Sequence, residues 1–164
     1  MMKSGRCKYC NKALVSSYGD MSSKVVVISD YPLFDDVRNG LVYSGTYGEA
    51  LKQEMGKAGI QAQACKMITM WQHAPDEECD AQWHINQALE DMMDAKLILM
   101  LGTECLQAYS FGTANEYSGT IVKSKFLKKA VIVAGPSYAA IGKTPLGELR
   151  LALELFAKQR RKLK

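Results

Sequence analysis

The stretch Lys24-Val-Val-Val-Ile-Ser29 decides the fold class, because it is an unbroken run of β-branched residues. A strand with one face in water alternates apolar and polar residues, whereas a strand with both faces buried reads as continuously apolar. Two more such runs follow, Lys96-Leu-Ile-Leu-Met-Leu-Gly102 and Ala130-Val-Ile-Val-Ala134, and a less regular, Met-containing one spans Ala64 to Met70. The sequence therefore predicts four buried strands.

Segments with helical spacing separate these strands. They cover residues 49–58, 80–94, 103–109 and the stretch from Pro145 towards the C-terminus, with Gly59 placed as a helix stop and Thr144-Pro145 as an N-cap and N1 pair. Strand–helix alternation predicts an α/β fold, here a three-layer αβα sandwich with a central four-stranded parallel sheet. Chemistry in such sheets lies beyond the carboxyl ends of the strands, which directs attention to loops 30–48, 71–78 and 135–142.

Length and composition indicate one globular domain over residues 1–164. Of the residues, 48% are hydrophobic and 23% charged, which excludes a disordered chain. No apolar run reaches the ~18 residues of a membrane helix, and the N-terminus lacks a signal-peptide core. We expect a cytoplasmic protein without a membrane partner. The short chain also suggests a viral protein in a bacterial cytoplasm.

The five cysteines favour metal binding or free thiols over disulfides in that compartment. Cys7-Lys-Tyr-Cys10 is a C-x-x-C pair, and Cys79 follows downstream with His73 six residues before it. Such soft ligands suit zinc or an iron–sulfur cluster, so residues 1–23 are predicted to form a metal-binding segment. Incidental buried thiols are the alternative. A thioredoxin-like pair is disfavoured, because this pair precedes the first strand.

The order of several motifs resembles the uracil-DNA glycosylase superfamily, most closely its iron–sulfur family 4 branch. After the first strand the family has Gly-Glu-Ala-Pro-Gly, an acidic stretch and spaced glycines; it later has Ala-Gly-Leu, Leu-Gly and His-Pro-Ser/Ala-Tyr. The matching segments here are Ser29-Asp30-Tyr31-Pro32-Leu33, Asp35 to Gly48, Ala58-Gly59-Ile60, Leu101-Gly102 and Gly135-Pro136-Ser137-Tyr138. The order and spacing cover nearly the whole chain.

The resemblance implies a [4Fe-4S] cluster with four cysteine ligands. Cys7 and Cys10 match the first two ligands and Cys79 matches the last, while His73 stands where the third cysteine is expected. Cys65 is the alternative third ligand, at a poorer spacing. Three cysteines and one histidine could also hold Zn²⁺ in tetrahedral geometry.

The resemblance also implies roles in excising a base from DNA. Tyr43 stands at the aromatic position that stacks on an extruded base, and Asp30 at the carboxylate position that serves the sugar cation or a water molecule. A loop-packing Tyr43 and a loop-capping Asp30 are the structural alternatives. Gly135 and Ser137 are the other catalytic positions that the resemblance implies. The other substrate-binding positions are Tyr31, Pro32, Met70 and Pro136.

Two groups expected from the family are missing. The Asn that reads the pyrimidine falls near Met70, and the His of His-Pro-Ser is Gly135, which offers only a backbone N–H. Losing one preorganised donor of this kind costs about 3–4 kcal/mol of transition-state stabilisation. His84 is predicted to lie at a helix surface or core edge and not to be a metal ligand.

The predicted function is a DNA-binding protein that hydrolyses the N-glycosidic bond of uracil or a modified pyrimidine, in single- or double-stranded DNA. The alternative is a catalytically inactive accessory subunit for replication or DNA modification, and a weaker one is a modified-base binder. Five of the 21 basic residues lie in the last seven positions, so residues 157–164 form a basic tail on a near-neutral body. The predicted phosphate contacts are Lys123, Lys125, Arg160 and Arg161. Helix-dipole complementation is the alternative role for the tail.

Overall fold

A mixed six-stranded sheet forms the centre of the computed structural model, which describes residues 5–111, 118–143 and 145–163. The strands are β1 (Tyr18–Gly19), β2 (Val25–Ser29), β3 (Lys66–Thr69), β4 (Leu97–Leu101), β5 (Ile121–Val122) and β6 (Val131–Gly135). Their spatial order is β1-β3-β2-β4-β6-β5. The chain thus crosses over the sheet between neighbouring long strands, as parallel pairing requires.

The four long strands pair in parallel, and the two-residue strands at each edge pair antiparallel. Val27 of β2 faces Met67 of β3 and Leu99 of β4 in the ladder. The predicted α/β fold is confirmed, and the observed sheet has six strands where the sequence predicts four. Two-residue strands carry too few residues to show a period, which is why β1 and β5 escape a sequence pattern.

Five α-helices lie in the described residues: α1 (Phe34–Asn39), α2 (Thr46–Lys57), α3 (Ala81–Met92), α4 (Thr103–Tyr109) and α5 (Gly147–Lys162). Apolar residues of α2 and α5 pack with alternate strand residues such as Val27 into one core. Residues of α3 and α4 pack with the intervening ones, such as Val26 and Ile28, into a second core. The sheet is therefore covered on both faces, as its continuously apolar strands require.

Two segments differ from the prediction. Residues 34–39, expected as loop, form α1, which the Asp36 carboxylate caps by accepting the Leu33 N–H at 3.0 Å. Gly40 ends α1 with φ +71°, a left-handed conformation that glycine adopts without steric cost. At the other end, most of the predicted basic tail is the last part of α5.

Across the part of the chain that the structure describes, none of the helices combines the length and apolarity needed to cross a bilayer.

Candidate metal centre and cleft

A tight turn brings Cys7 and Cys10 to the same point. The Cys7 N–H donates to Lys12 O and the Asn11 N–H to Cys7 O, both at 2.9 Å. Asn11 closes the turn with φ +62°, in the left-handed region that asparagine tolerates. Backbone N–H groups of Tyr9 and Cys10 are directed at the Cys7 sulfur. The C-x-x-C spacing thus converts into two thiols on one side of a turn.

His73 and Cys79 complete the cluster that the sequence predicts. His73 follows β3 and Cys79 precedes α3, and the ligand atoms of these two residues, Cys7 and Cys10 all lie within 4.8 Å of one another. Cys10 Sγ is 3.2 Å and Cys79 Sγ 3.5 Å from His73 Nε2, and the Cys7 and Cys79 sulfurs are 3.5 Å apart. A cluster of three cysteines and one histidine could bind a metal ion.

Cys65 lies outside this cluster. Its buried thiol donates to Gln61 O at 3.6 Å, at the start of β3. Burial raises the pKa of the Cys65 thiol to about 11, so this cysteine keeps its proton at neutral pH. Of the two residues that the sequence leaves open for the third ligand position, the structure brings His73 to the other three.

His84 was predicted at a helix surface or core edge, and this prediction is wrong. Its side chain is completely buried, and its Nε2 lies 3.0 Å from His73 Nε2 and 3.5 Å from Cys79 Sγ. His84, Ala88 and Met92 follow one another at four-residue spacing on the buried face of α3. That spacing is the sequence signal that places His84 inside.

The pKa values of the clustered thiols and of the His84 imidazole are shifted in different directions. Burial raises the pKa of Cys7, but hydrogen bonds from the Tyr9 and Cys10 backbone outweigh it and lower the pKa to about 6. Burial, together with hydrogen bonds to Cys7 and Cys10, raises the pKa of Cys79 to about 12. Burial, followed by the nearby His73, lowers the pKa of His84 to about 4. One thiolate therefore forms readily, and further ionisation needs a cation among the donors.

Asp30 lies at the carboxyl end of β2 and is 8% exposed. Its Oδ1 accepts the backbone N–H of Cys105 at 2.8 Å, in the first turn of α4. A Cβ on Gly102 would come within 2.5 Å of this carboxylate, so glycine is needed for the contact. Burial raises the pKa of Asp30, and hydrogen bonds from Cys105 and Glu104 offset part of that rise.

Tyr43 is fully buried, and its hydroxyl donates to Ile68 O at 2.7 Å and lies 2.8 Å from Ser29 Oγ. The Tyr138 ring packs beside it at 4.8 Å between ring centres. Met70 is buried in the core on the α3 side of the sheet. Gly135 is also buried, and a Cβ there would come within 2.7 Å of the Leu101 side chain.

A cleft of about 530 Å³ opens beside Asp36 and the loop that follows β2. Its walls include Tyr31, Phe34, Tyr47, Tyr138 and Lys143. Among the other predicted pocket residues, Pro32 is buried, and Pro136 and Ser137 are half-buried in the loop after β6. The carboxyl edge of the sheet thus carries an aromatic-walled cleft with one cation.

A family model, the uracil DNA glycosylase superfamily, matches residues 16–161. The chain belongs to the uracil-DNA glycosylase superfamily. A search of curated proteins returned no match. The predicted superfamily is confirmed, and the family 4 branch stays a prediction. Cys7 and Cys10 precede the matched range, whereas His73 and Cys79 fall within it.

The basic residues predicted to bind DNA lie at the opposite edge of this glycosylase-like domain. Val122 pairs antiparallel with Ile132, so the chain that continues through Lys123 to Lys125 runs past the amino end of β6. The charge of Arg160 acts on the thiol of Cys65, which directly precedes β3. Both groups are thus displaced from the cleft, where Lys143 is the lining cation among the described residues.

Proposed function

We propose that this protein binds DNA and hydrolyses the N-glycosidic bond of uracil or a modified pyrimidine. The observation that carries the proposal is the buried Asp30 carboxylate at the carboxyl end of β2, in a chain of the uracil-DNA glycosylase superfamily. Enclosed carboxylates at this edge of a parallel sheet are uncommon unless they are paired or functional. Asp30 directly precedes Tyr31, which lines the cleft, and the proposal assigns its carboxylate to the sugar.

The reaction needs little besides positioned charge. As the bond between C1′ and the base nitrogen breaks, its electron pair goes to the base, which takes up a proton, and water adds its hydroxyl to C1′. Positive charge develops on the sugar and negative charge on the base. In the proposal Asp30 stabilises the sugar cation and orients the water, while the Cys105 N–H holds the carboxylate in place.

The base would enter from the cleft. A nucleotide extruded from a duplex requires a pocket with aromatic walls, and the side chains of Tyr31, Phe34 and Tyr47 supply such walls. Tyr138 covers Tyr43, so a base that stacks on Tyr43 would take the place of the Tyr138 ring. Pro136 and Ser137 would then shape the loop beside the sugar.

A metal ion would have a structural task in this scheme. Cys7, Cys10, His73 and Cys79 would hold it, joining the N-terminal turn to the loop after β3. Bound there, the ion would cross-link the chain, and the hydrolysis itself would depend on Asp30.

A specific observation favours a second function, a catalytically inactive DNA-binding accessory subunit for replication or DNA modification. Gly135 and Met70 replace the two polar groups expected of an efficient enzyme, and Met70 is enclosed in apolar core. Asp30 also already accepts the Cys105 N–H, as a structural capping residue would. The same fold would then hold DNA or a modified base without breaking a bond.

One assay separates the two functions. Single-stranded and duplex oligonucleotides that carry uracil or 5-substituted uracils are incubated with the protein, and abasic sites are cleaved with alkali. Strand breaks that disappear in Asp30→Asn and persist in Asp94→Asn support the enzyme. Asp94 is a matched control because its carboxylate is exposed and faces Lys24, which precedes the amino end of β2. Retention of DNA without breaks, in both variants, supports the accessory function. Neither breaks nor retention would overturn both.

A further inference from the structure

The donor spacing at the metal centre disagrees with an iron–sulfur cluster. In a [4Fe-4S] centre each protein ligand binds a different iron, so the ligand atoms lie about 6 Å apart. Here all four ligand atoms of Cys7, Cys10, His73 and Cys79 lie within 4.8 Å of one another. The residues present therefore do not fit a cubane cluster, and the third cysteine that such a cluster needs is replaced by His73.

The same spacing fits one tetrahedral ion. Zinc bonds of 2.0–2.3 Å place two thiolates about 3.8 Å apart and a thiolate and an imidazole about 3.6 Å apart. The observed separations are 3.5 Å between Cys7 and Cys79, and 3.2 and 3.5 Å from His73 Nε2 to the sulfurs of Cys10 and Cys79. Ligand atoms at these separations enclose a space that holds a single cation and has no room for inorganic sulfide.

The two imidazoles are oriented as ligands. His73 Nδ1 is 2.7 Å from Ala74 O, and His84 Nδ1 is 2.9 Å from Gln72 Oε1. Gln72 Nε2 donates to Met70 O, and the Gln72 N–H donates to His84 Nδ1 at 3.3 Å. The His73 ring thus carries its proton on Nδ1 and directs its Nε2 lone pair at the thiols, and the Nε2 of His84 faces the same sulfurs.

His84 Nε2 lies 3.0 Å from His73 Nε2, within hydrogen-bonding distance, so the two imidazoles meet beside the thiols. His84 Nε2 is also 3.5 Å from Cys79 Sγ and 3.7 Å from Cys7 Sγ. Trp71, 7% exposed, packs at 4.9 Å from the His84 ring and keeps water from this side. Five soft or borderline donors therefore converge on one small volume.

We propose that this centre holds one mononuclear ion of the zinc class in place of an iron–sulfur cluster, bound by the thiolates of Cys7, Cys10 and Cys79 and by one imidazole. His73 supplies the imidazole, and His84 can replace it. This inference does not depend on glycosylase activity.

The wild-type protein tests the identity of the metal directly. Purified without oxygen, and without added metal, it should be colourless and contain about one zinc per chain, with no acid-labile sulfide. Replacement by Co²⁺ should give the intense visible bands of a tetrahedral thiolate site. A brown protein with equal amounts of iron and acid-labile sulfide would overturn the proposal, as would a folded protein that binds neither metal.

Variants test the ligand set, with folding checked by circular dichroism. Cys10→Ser should lose zinc, whereas Cys65→Ser, the matched buried thiol outside the cluster, should retain it. His73→Ala and His84→Ala should each keep zinc at about 10–100-fold weaker affinity, and the double variant should lose it. Full loss in His73→Ala with His84 intact would refute the interchange of imidazoles, and the Co²⁺ bands of the wild-type protein report on the site where a variant fails to fold.

Discussion

At the scale of one residue, Asp30 combines an unfavourable burial of its carboxylate with a hydrogen bond that holds α4. Its carboxylate is buried against Gly102 and holds the first turn of α4 through the Cys105 N–H. Burial raises its pKa above the ordinary value of 3.8, which means that the fold favours the protonated form. At neutral pH the ionised Asp30 therefore lowers the stability of the native state, a cost that fits a residue retained for chemistry.

The pH dependence of Asp30→Asn tests this cost. The stabilising effect of a raised pKa is complete below 3.8 and is lost as the pH rises through the native pKa. The unfolding free energy of the variant, relative to wild type, should therefore increase as the pH rises from below 3.8 towards neutrality. Urea denaturation at several pH values measures it. The exposed Asp94→Asn serves as the control, and a decrease with pH would contradict the assignment.

Single residues also show how far sequence reasoning reaches. Cysteine and histidine are rare, and their sulfur and nitrogen atoms are typical ligands of metal ions. Spacing and the order of the family's motifs were therefore enough to select Cys7, Cys10, His73 and Cys79. The four-residue spacing on α3 indicates that His84 is buried, but its position beside His73 depends on how closely that face approaches the loop after β3. Contacts between distant segments decide such a role, and spacing within one segment does not contain them.

At the scale of elements, Asp36 joins three segments at the carboxyl edge. Its buried carboxylate accepts the N–H groups of Leu33, Ser44 and Gly45, at 3.0 to 3.1 Å, and the Tyr138 hydroxyl at 3.0 Å. The loop that starts α1, the loop that starts α2 and the turn after β6 are thus tied to one side chain. These segments also line the cleft, so this tie keeps its walls together.

Removal of the Tyr138 hydroxyl tests that tie. Tyr138→Phe leaves the buried Asp36 one donor short, which should lower the free energy of unfolding by about 1–3 kcal/mol. Tyr9→Phe, at a half-exposed ring where water can replace the hydroxyl's contacts, should change it by less than about 0.5 kcal/mol. Chemical denaturation compares both with wild type. Equal effects of the two substitutions would show that the Asp36 contact contributes nothing specific.

Most elements were predictable, including the seven-residue α4 and the four-residue β3, but α1 and the two-residue strands were not. The apolar runs of β2, β4 and β6 and the periodic faces of α3 and α5 are visible in the sequence. In α1, six residues make fewer than two turns, and its cap depends on Asp36, whose partners Ser44 and Tyr138 lie eight and more than a hundred residues away. Tertiary hydrogen bonds therefore stabilise α1 more than its local propensity does.

The distribution of charge belongs to the whole molecule. The sequence indicates where basic residues cluster along the chain, but the topology decides which edge of the sheet receives them. Helix α5 starts beside the carboxyl edge, where Ala152 approaches Gly135, and its last turns reach the amino edge near Cys65. The predicted phosphate contacts Arg160 and Arg161 are consequently far from the cleft, a displacement that no local pattern reveals.

DNA-binding measurements distinguish the two edges. If DNA enters at the cleft, Lys143→Gln should weaken binding and reduce the slope of log affinity against log salt by about 0.9 for duplex DNA, because one phosphate contact is lost. Arg161→Gln, the matched loss of one exposed charge at the amino edge, should leave that slope unchanged. Fluorescence anisotropy over a salt series measures both. The reverse result would place the DNA along the end of α5.

The N-terminal turn depends on the metal centre for its place on the molecule. Beyond its own turn, residues 5–14 are joined to the domain through the sulfurs of Cys7 and Cys10, an edge-to-face contact of Tyr9 with Trp83 and a Lys12–Asp76 ion pair at 3.1 Å. The backbone hydrogen bonds to the domain begin at Val15, whose N–H donates to Gln72 O. An exposed ion pair contributes at most about 1 kcal/mol. Chelation of the metal should therefore free this turn while the core over residues 16–161 stays folded.

Trypsin should then cleave after Lys8 and Lys12 about tenfold faster or more, as followed by mass spectrometry, and re-addition of zinc should restore protection. Cleavage at the same rate with and without chelator would show that the polypeptide alone holds the segment, and simultaneous loss of the core would show that the ion stabilises the entire domain.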